Sequence, residues 1–157
     1  MLNGTIIKKY TMEVSEVELI YKKKQSTANA KKIDTSKIAF DILFSLWDKN
    51  KIDYVEHFYA LYLNRANKVI GSILLSTGGC VGTVVDVKVL IQGAILSNAQ
   101  AIVIAHNHPS GSLIPSNSDL DITSRIKTAC NYFEIDLLDH LIIAENKYYS
   151  FKDEGRL

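Results

Sequence analysis

Five apolar residues in a row, 101–105, run directly into His106-Asn107-His108-Pro109. The run is too short for a stable helix, and Ile102, Val103 and Ile104 are all β-branched. It therefore reads as a strand covered on both faces. Its exit is polar and closed by a proline, so the chain leaves a rigid, buried element at a point that carries two imidazoles. Alternate residues of a strand share a face, which turns His106 and His108 the same way. A chain built on such an element needs a sheet with layers above and below it. Its polar chemistry belongs at the C-terminal end of that buried strand.

The remaining segments supply the cover. Asp34-Thr35-Ser36 offers helix N-caps. Ile38, Ile42 and Leu46, with Phe40, Leu43 and Trp47, follow at helical spacing to about Lys49. Residues 55–63 and 68–76 read as strands joined by a turn at Asn64-Arg65-Ala66-Asn67. Val87, Leu90, Ile91, Ala94 and Ile95 mark a helix ending near Asn98. Leu120, Thr123, Ile126, Cys130 and Phe133 mark another. Residues 137–144 and 148–151 close as strands around Glu145-Asn146-Lys147. Residues 3–24 read as extended and 25–32 as a polar loop. The order predicts an α/β domain, a mixed β-sheet sandwiched by helices, over residues 35–157. Residues 1–34 are expected to form an N-terminal extended segment packed on or flanking it.

Bulk properties exclude several functions. At 157 residues and 47% hydrophobic, the chain can bury one core without staples. Cys80 and Cys130 form no CxxC pair, which removes a thiolate zinc knuckle and a dithiol redox motif and fits a reducing cytosol. No apolar stretch approaches the ~20 residues that span a bilayer. The first ten residues lack the pattern of a signal peptide. A soluble, cytoplasmic protein with no membrane partner is expected. Gly78, Gly79 and Gly82 do not make a phosphate loop, because no Lys-Ser/Thr follows in place.

A net charge of +1 gives no global case for nucleic-acid binding. Residues 1–37 do carry eight lysines against four acidic residues. Without interleaved stacking aromatics, these read as a solvated face or protected edge rather than a phosphate patch.

The chemistry concentrates in His106-Asn107-His108-Pro109 and in Ser116-Asn117-Ser118-Asp119, joined by a loop rich in serine and proline. Asp119 follows His108 by eleven positions and falls in the first turn of the next helix, which the loop can fold back over the strand end. Two imidazoles and one carboxylate make a three-ligand metal site with an open position, suited to zinc, with iron or manganese also compatible. Such a site acidifies water to a pKa of ~7 and needs a base and an oxyanion stabiliser beside it. Asp119 has a second reading. Ser116-x-x-Asp119 is a capping box, in which the serine caps the helix and the aspartate reaches back.

His106-x-His108-Pro109 followed by Ser116-x-x-Asp119 matches every fixed position of the JAMM pattern H-x-H-P-x6-S-x-x-D. Ala105-His106-Asn107-His108-Pro109-Ser110-Gly111, Asp139-His140-Leu141-Ile142-Ile143, Tyr149-Ser150-Phe151 and Glu154-Gly155 resemble the RadC family in particular. The resemblance covers roughly residues 35–157. It implies the JAB/MPN, cytidine-deaminase-like architecture and a zinc ion on His106, His108 and Asp119. It also implies that Glu56 is the general base and that Ser116 helps to stabilise the oxyanion. Glu56 shares its strand face with the largely apolar Phe58, Ala60 and Tyr62, where a carboxylate is costly without a partner.

His57 is expected on the opposite face, in a structural role. His140 reads as a core histidine before it reads as a partner of the site, and Cys130 as packing. RadC proteins usually carry an N-terminal helix-hairpin-helix-like segment, which this chain is expected to lack.

The expected activity is zinc-dependent hydrolysis of an amide, peptide or isopeptide bond, with a protein or peptide substrate. The competing expectation is a non-catalytic module of DNA repair or recombination holding a structural metal. Zinc deamination of a nucleobase is excluded, because it uses H-x-E with P-C-x-x-C.

Overall fold

The computed structural model describes residues 30–78 and 84–157. Its elements, in chain order, are α1 (Ser36–Phe44), β1 (His57–Leu63), β2 (Val69–Thr77), α2 (Val87–Leu96), β3 (Ala101–Asn107), α3 (Asn117–Tyr132), β4 (Asp136–Ala144) and β5 (Lys147–Ser150). The strands form one mixed sheet in the order β2-β1-β3-β4-β5. β3 pairs parallel with β4, and the other three pairings are antiparallel. The central position of β3 explains its composition. Every one of its residues is buried, as expected for a strand with helices over both faces.

Side-chain alternation divides the core in two. One face packs Leu61, Leu63, Val103, Ala105, Leu141 and Ile143 against Ala39, Phe40 and Leu43 of α1 and against Trp47. The other packs Phe58, Ala60, Tyr62, Ile102 and Ile104 against Leu90, Ile91 and Ala94 of α2 and Ile126 and Cys130 of α3. Gly93 lets α2 approach β1 closely. A Cβ there would meet the Tyr62 hydroxyl at 2.1 Å, the group that donates to the Leu90 carbonyl at 3.0 Å. Burial pushes that phenol up to about 12 and the Cys130 thiol up to about 11, in keeping with packing roles for both.

Several boundaries move from the sequence expectation. α1 stops at Phe44 instead of continuing to Lys49. Lys49 Nζ takes the Phe44 carbonyl, the Ser45 hydroxyl takes that of Ile42, and Trp47 turns inward to 4% exposure. The Lys49 and Ser45 side chains satisfy terminal carbonyls that further helix would have used. Phe133, placed by periodicity on the buried stripe of α3, lies one residue past the helix and is 53% exposed. There Glu134 reverses the chain at φ 55°. The extended segment 3–24, most of the polar loop and Cys80 lie outside the described residues. The first described stretch runs beside β2, with Ile33 N–H donating to Asn67 O and Val69 N–H to Lys31 O. No helix among the described residues is long and apolar enough to cross a membrane.

The C-terminal turn is tied to β4 by Asp139, 3% exposed. Its carboxylate accepts from the Ser150 hydroxyl at 2.6 Å and from the backbone N–H of Lys152 at 3.1 Å and His140 at 2.8 Å. Burial raises its pKa against the opposing pull of these bonds. Asp139→Ala strands those donors and is expected to cost about 1–3 kcal/mol. Asp139→Asn, which keeps an acceptor for the backbone, should lose less. Urea unfolding followed by far-UV circular dichroism reads both.

Candidate metal centre

The site forms where β3 ends, β1 begins and α3 starts. His106, the sixth residue of β3, turns toward α3 and is 1% exposed. Its ring lies parallel to that of Phe58, its cross-strand partner, at 5.8 Å and 2°. His108 sits one residue past the strand. Its N–H donates to Ile143 O, which continues the sheet direction, while Gly111 at φ 80° turns the loop back. The loop brings the Ser112 carbonyl to 2.7 Å from His108 Nδ1. A carbonyl only accepts, so His108 carries a hydrogen on Nδ1, and its Nε2 is bare in the neutral ring.

Asp119 serves both of the roles read for it. The capping box is complete. The Ser116 hydroxyl accepts from Asp119 N–H at 3.2 Å, and Asp119 Oδ2 accepts from both the N–H and the hydroxyl of Ser116 at 2.7 Å. The other oxygen, Oδ1, lies 3.1 Å from His106 Nε2, and Oδ2 lies 3.5 Å from His108 Nε2. One carboxylate thus closes the helix end and faces both imidazoles. Burial disfavours its charge, but the His106 and His108 imidazoles that face it and the bonds from Ser116 outweigh that and hold the carboxyl well below the usual range. The same contact with Asp119 is the largest cause raising the His108 pKa.

The two Nε2 atoms stand 2.9 Å apart. One donor atom from each of His106, His108 and Asp119 lies within 4.8 Å of the others, and this group could hold a metal ion.

These residues open into a cleft of about 850 Å³ that Glu56, Phe58, Val84, Val85, Ser116, Ile122 and Arg125 also line. Glu56, placed from sequence inside a strand over 55–63, is instead the residue immediately ahead of β1. His57 takes the opposite side as expected. It is buried, and burial lowers its pKa.

Three further residues support the site, two of which, Asn107 and Thr123, had no role in it from sequence. Asn107, between the two histidines, points to the α1 face and is fully buried. Its Oδ1 accepts from Trp47 Nε1 at 2.9 Å and from His57 N–H at 2.8 Å. Its Nδ2 donates to the carbonyls of Ile52 at 2.6 Å and Val55 at 2.9 Å. The segment carrying Glu56 is therefore pinned on both sides of that residue by the strand that carries His106.

His140, read first as core, is fully buried and also a partner of the site. Its Nε2 lies 2.9 Å from His106 Nδ1, and its Nδ1 lies 2.6 Å from the Thr123 hydroxyl. Burial, the largest cause, lowers its pKa well below the ordinary value, so the ring stays neutral. Alternation along β3 was the available signal for Asn107. The signal for His140 was its occurrence in an otherwise apolar strand. Thr123 offered none beyond its place on the helix stripe.

A family model described as the RadC-like JAB domain matches residues 33–156. The chain belongs to this family. Proteins named UPF0758 are similar to it. The one from Flavobacterium johnsoniae is 46% identical over 125 residues, covering 80% of this chain and 53% of the relative. The one from Aquifex aeolicus is 38% identical over 119 residues, 76% and 50% of the two chains. One from Streptococcus agalactiae is 35% identical over 123 residues, 78% and 53%. The chain spans about half the length of the curated relatives it matches. The helix-flanked mixed sheet is the α/β architecture expected of a JAB domain.

Proposed function

We propose that this RadC-like domain is a zinc-dependent hydrolase that cleaves an amide, peptide or isopeptide bond with an activated water. The supporting observation is the convergence of His106 Nε2, His108 Nε2 and an Asp119 carboxylate oxygen on one point of a cleft that Glu56 also lines. Ligand atoms around a tetrahedral zinc at ~2.0–2.1 Å lie ~3.3 Å apart. The two Nε2 atoms are 2.9 Å apart, and the carboxylate oxygen nearest each lies at a similar distance, Oδ1 at 3.1 Å from His106 and Oδ2 at 3.5 Å from His108. An imidazole–imidazole–carboxylate set leaves a coordination position open. When bound, zinc supplies a Lewis acid able to bring the pKa of water to ~7 and to polarise a carbonyl.

The protein's own residues do the rest. Glu56 takes the proton of the attacking water and passes it to the leaving nitrogen. Asn107 holds the Glu56 segment still through its four bonds. The Ser116 hydroxyl now directs its proton at Asp119. Rotation of that hydroxyl toward the cleft would stabilise a developing oxyanion, with the Ser116 N–H keeping the aspartate in place. Phe58, Val85 and Ile122 give the cleft an apolar wall that limits water around the reacting bond.

His106→Ala and His108→Ala are each expected to abolish stoichiometric zinc, measured after dialysis against a mild chelator, and to abolish turnover of amide or isopeptide substrates. Retention of full zinc by either variant would overturn the ligand assignment. Stoichiometric zinc in the wild type without turnover on any peptide or isopeptide would favour a structural metal.

A further inference from the structure

We infer that Thr123 and His140 hold His106 in its Nδ1–H tautomer and so present a bare Nε2 to the cation, which makes both of them positioning residues of the centre. The inference rests on the metal-centre reading above.

The direction of the hydrogen bonds follows from one proton. The Thr123 hydroxyl has a single hydrogen, and its oxygen lies 2.5 Å from the Asp119 carbonyl one turn back. A carbonyl only accepts, so that hydrogen points to Asp119. The same hydroxyl oxygen lies 2.6 Å from His140 Nδ1 and can there only accept. His140 therefore carries its N–H on Nδ1. A neutral imidazole has one N–H, which leaves His140 Nε2 as an acceptor, 2.9 Å from His106 Nδ1. His106 must then donate from Nδ1.

Its Nε2 keeps a lone pair, aimed at the point shared with His108 Nε2 and Asp119 Oδ1. The reverse direction would put a hydrogen on His106 Nε2, where it blocks coordination. It would also leave the Thr123 hydroxyl and the Asp119 carbonyl in contact at 2.5 Å with no proton between them.

Exposure of 0% for His140, 1% for His106 and 4% for Thr123 keeps water from supplying another partner. The bonds form a chain, from the Asp119 backbone carbonyl through Thr123 and His140 to His106, whose Nε2 faces the Asp119 carboxylate at 3.1 Å. Two of the three candidate ligands are therefore oriented by one buried network, the arrangement that commonly fixes the tautomer of a ligating histidine. His108 obtains its tautomer separately, from the Ser112 carbonyl.

The test compares wild type, Thr123→Val and Thr123→Ser. Zinc affinity is measured by competition with a chromophoric chelator. Imidazole nitrogen shifts are recorded on metal-free, histidine-labelled protein at a pH where the rings are neutral. Wild type is expected to show His106 protonated on Nδ1. Thr123→Val should mix the two tautomers and weaken zinc binding ~10–100-fold, and Thr123→Ser, which keeps the hydroxyl, should restore both. A purely structural threonine would change stability and leave the tautomer alone. His106 protonated on Nε2 in the wild type, or wild-type zinc affinity and tautomer in folded Thr123→Val, would overturn the inference. If Thr123→Val fails to fold, Thr123→Ser and the wild-type shifts decide it. A wild type that binds no zinc overturns the metal-centre reading instead, while the metal-free shifts still decide the tautomer.

Discussion

Glu56→Gln is expected to keep zinc near the wild-type level and to cut turnover by about 10²–10⁴-fold, the usual worth of general acid–base assistance. Glutamine preserves size and can hydrogen-bond, but it takes no proton at neutral pH. Glu56 lines the cleft yet stands outside the group of His106, His108 and Asp119 that could hold the ion, so its loss should spare metal content. The loss should fall on kcat, with substrate binding largely kept. Zinc content and kcat measured on the same preparation separate the possibilities. Wild-type turnover would remove Glu56 from the mechanism, and loss of zinc would make it a ligand or support.

Asn107→Ala should lower stability by roughly 3–5 kcal/mol. It strands four polar groups, three buried and one half-buried, each buried one worth ~1–3 kcal/mol when left unpaired, with part recovered by relaxation. Those groups are Trp47 Nε1, His57 N–H and the carbonyls of Ile52 and Val55. Against a total of ~5–15 kcal/mol for a domain, this is a large fraction. Asn107→Asp tests the donor half alone. It keeps an acceptor for Trp47 and His57 but sets a carboxylate oxygen against two carbonyls, so it too should be strongly destabilised. Urea unfolding by far-UV circular dichroism measures both. Because Val55 and His57 flank Glu56, folded Asn107→Ala should also lose turnover with its candidate ligands intact. A stability within ~1 kcal/mol of wild type would show that Asn107 does not anchor the segment.

Much of the site was legible before any fold was known, because its parts are local in sequence. His106 and His108 share one strand end, and strand period alone turns them together. Ser116 and Asp119 share one helix start, and the capping box visible in their spacing is formed in full. The two readings of Asp119 looked like rivals only because sequence does not distinguish the two oxygens of a carboxylate. In the structure both oxygens bond to Ser116 or face an imidazole. The end of α1 was less legible. Helical periodicity continues past Phe44, and competition by Lys49 and Ser45 for the last carbonyls ends the helix.

The sequence by itself determined the elements whose cause is local. The apolar run became a central strand, the 3.6-residue stripes became helices on both faces, and the His-x-His and Ser-x-x-Asp spacings assembled a candidate metal centre. Tertiary structure alone decided what joins residues far apart in the chain. Asn107 meets Trp47 across 60 positions, His140 meets His106 across 34, and Thr123 meets His140 across 17. Each of these contacts depends on register. The antiparallel pairing of Phe58 with His106 and the parallel pairing of His106 with Ile142 set which side chains share a face and a depth. Hydrophobic alternation tells a strand which face to bury. It does not tell a buried asparagine, threonine or histidine which polar partner the neighbouring strand or helix will bring.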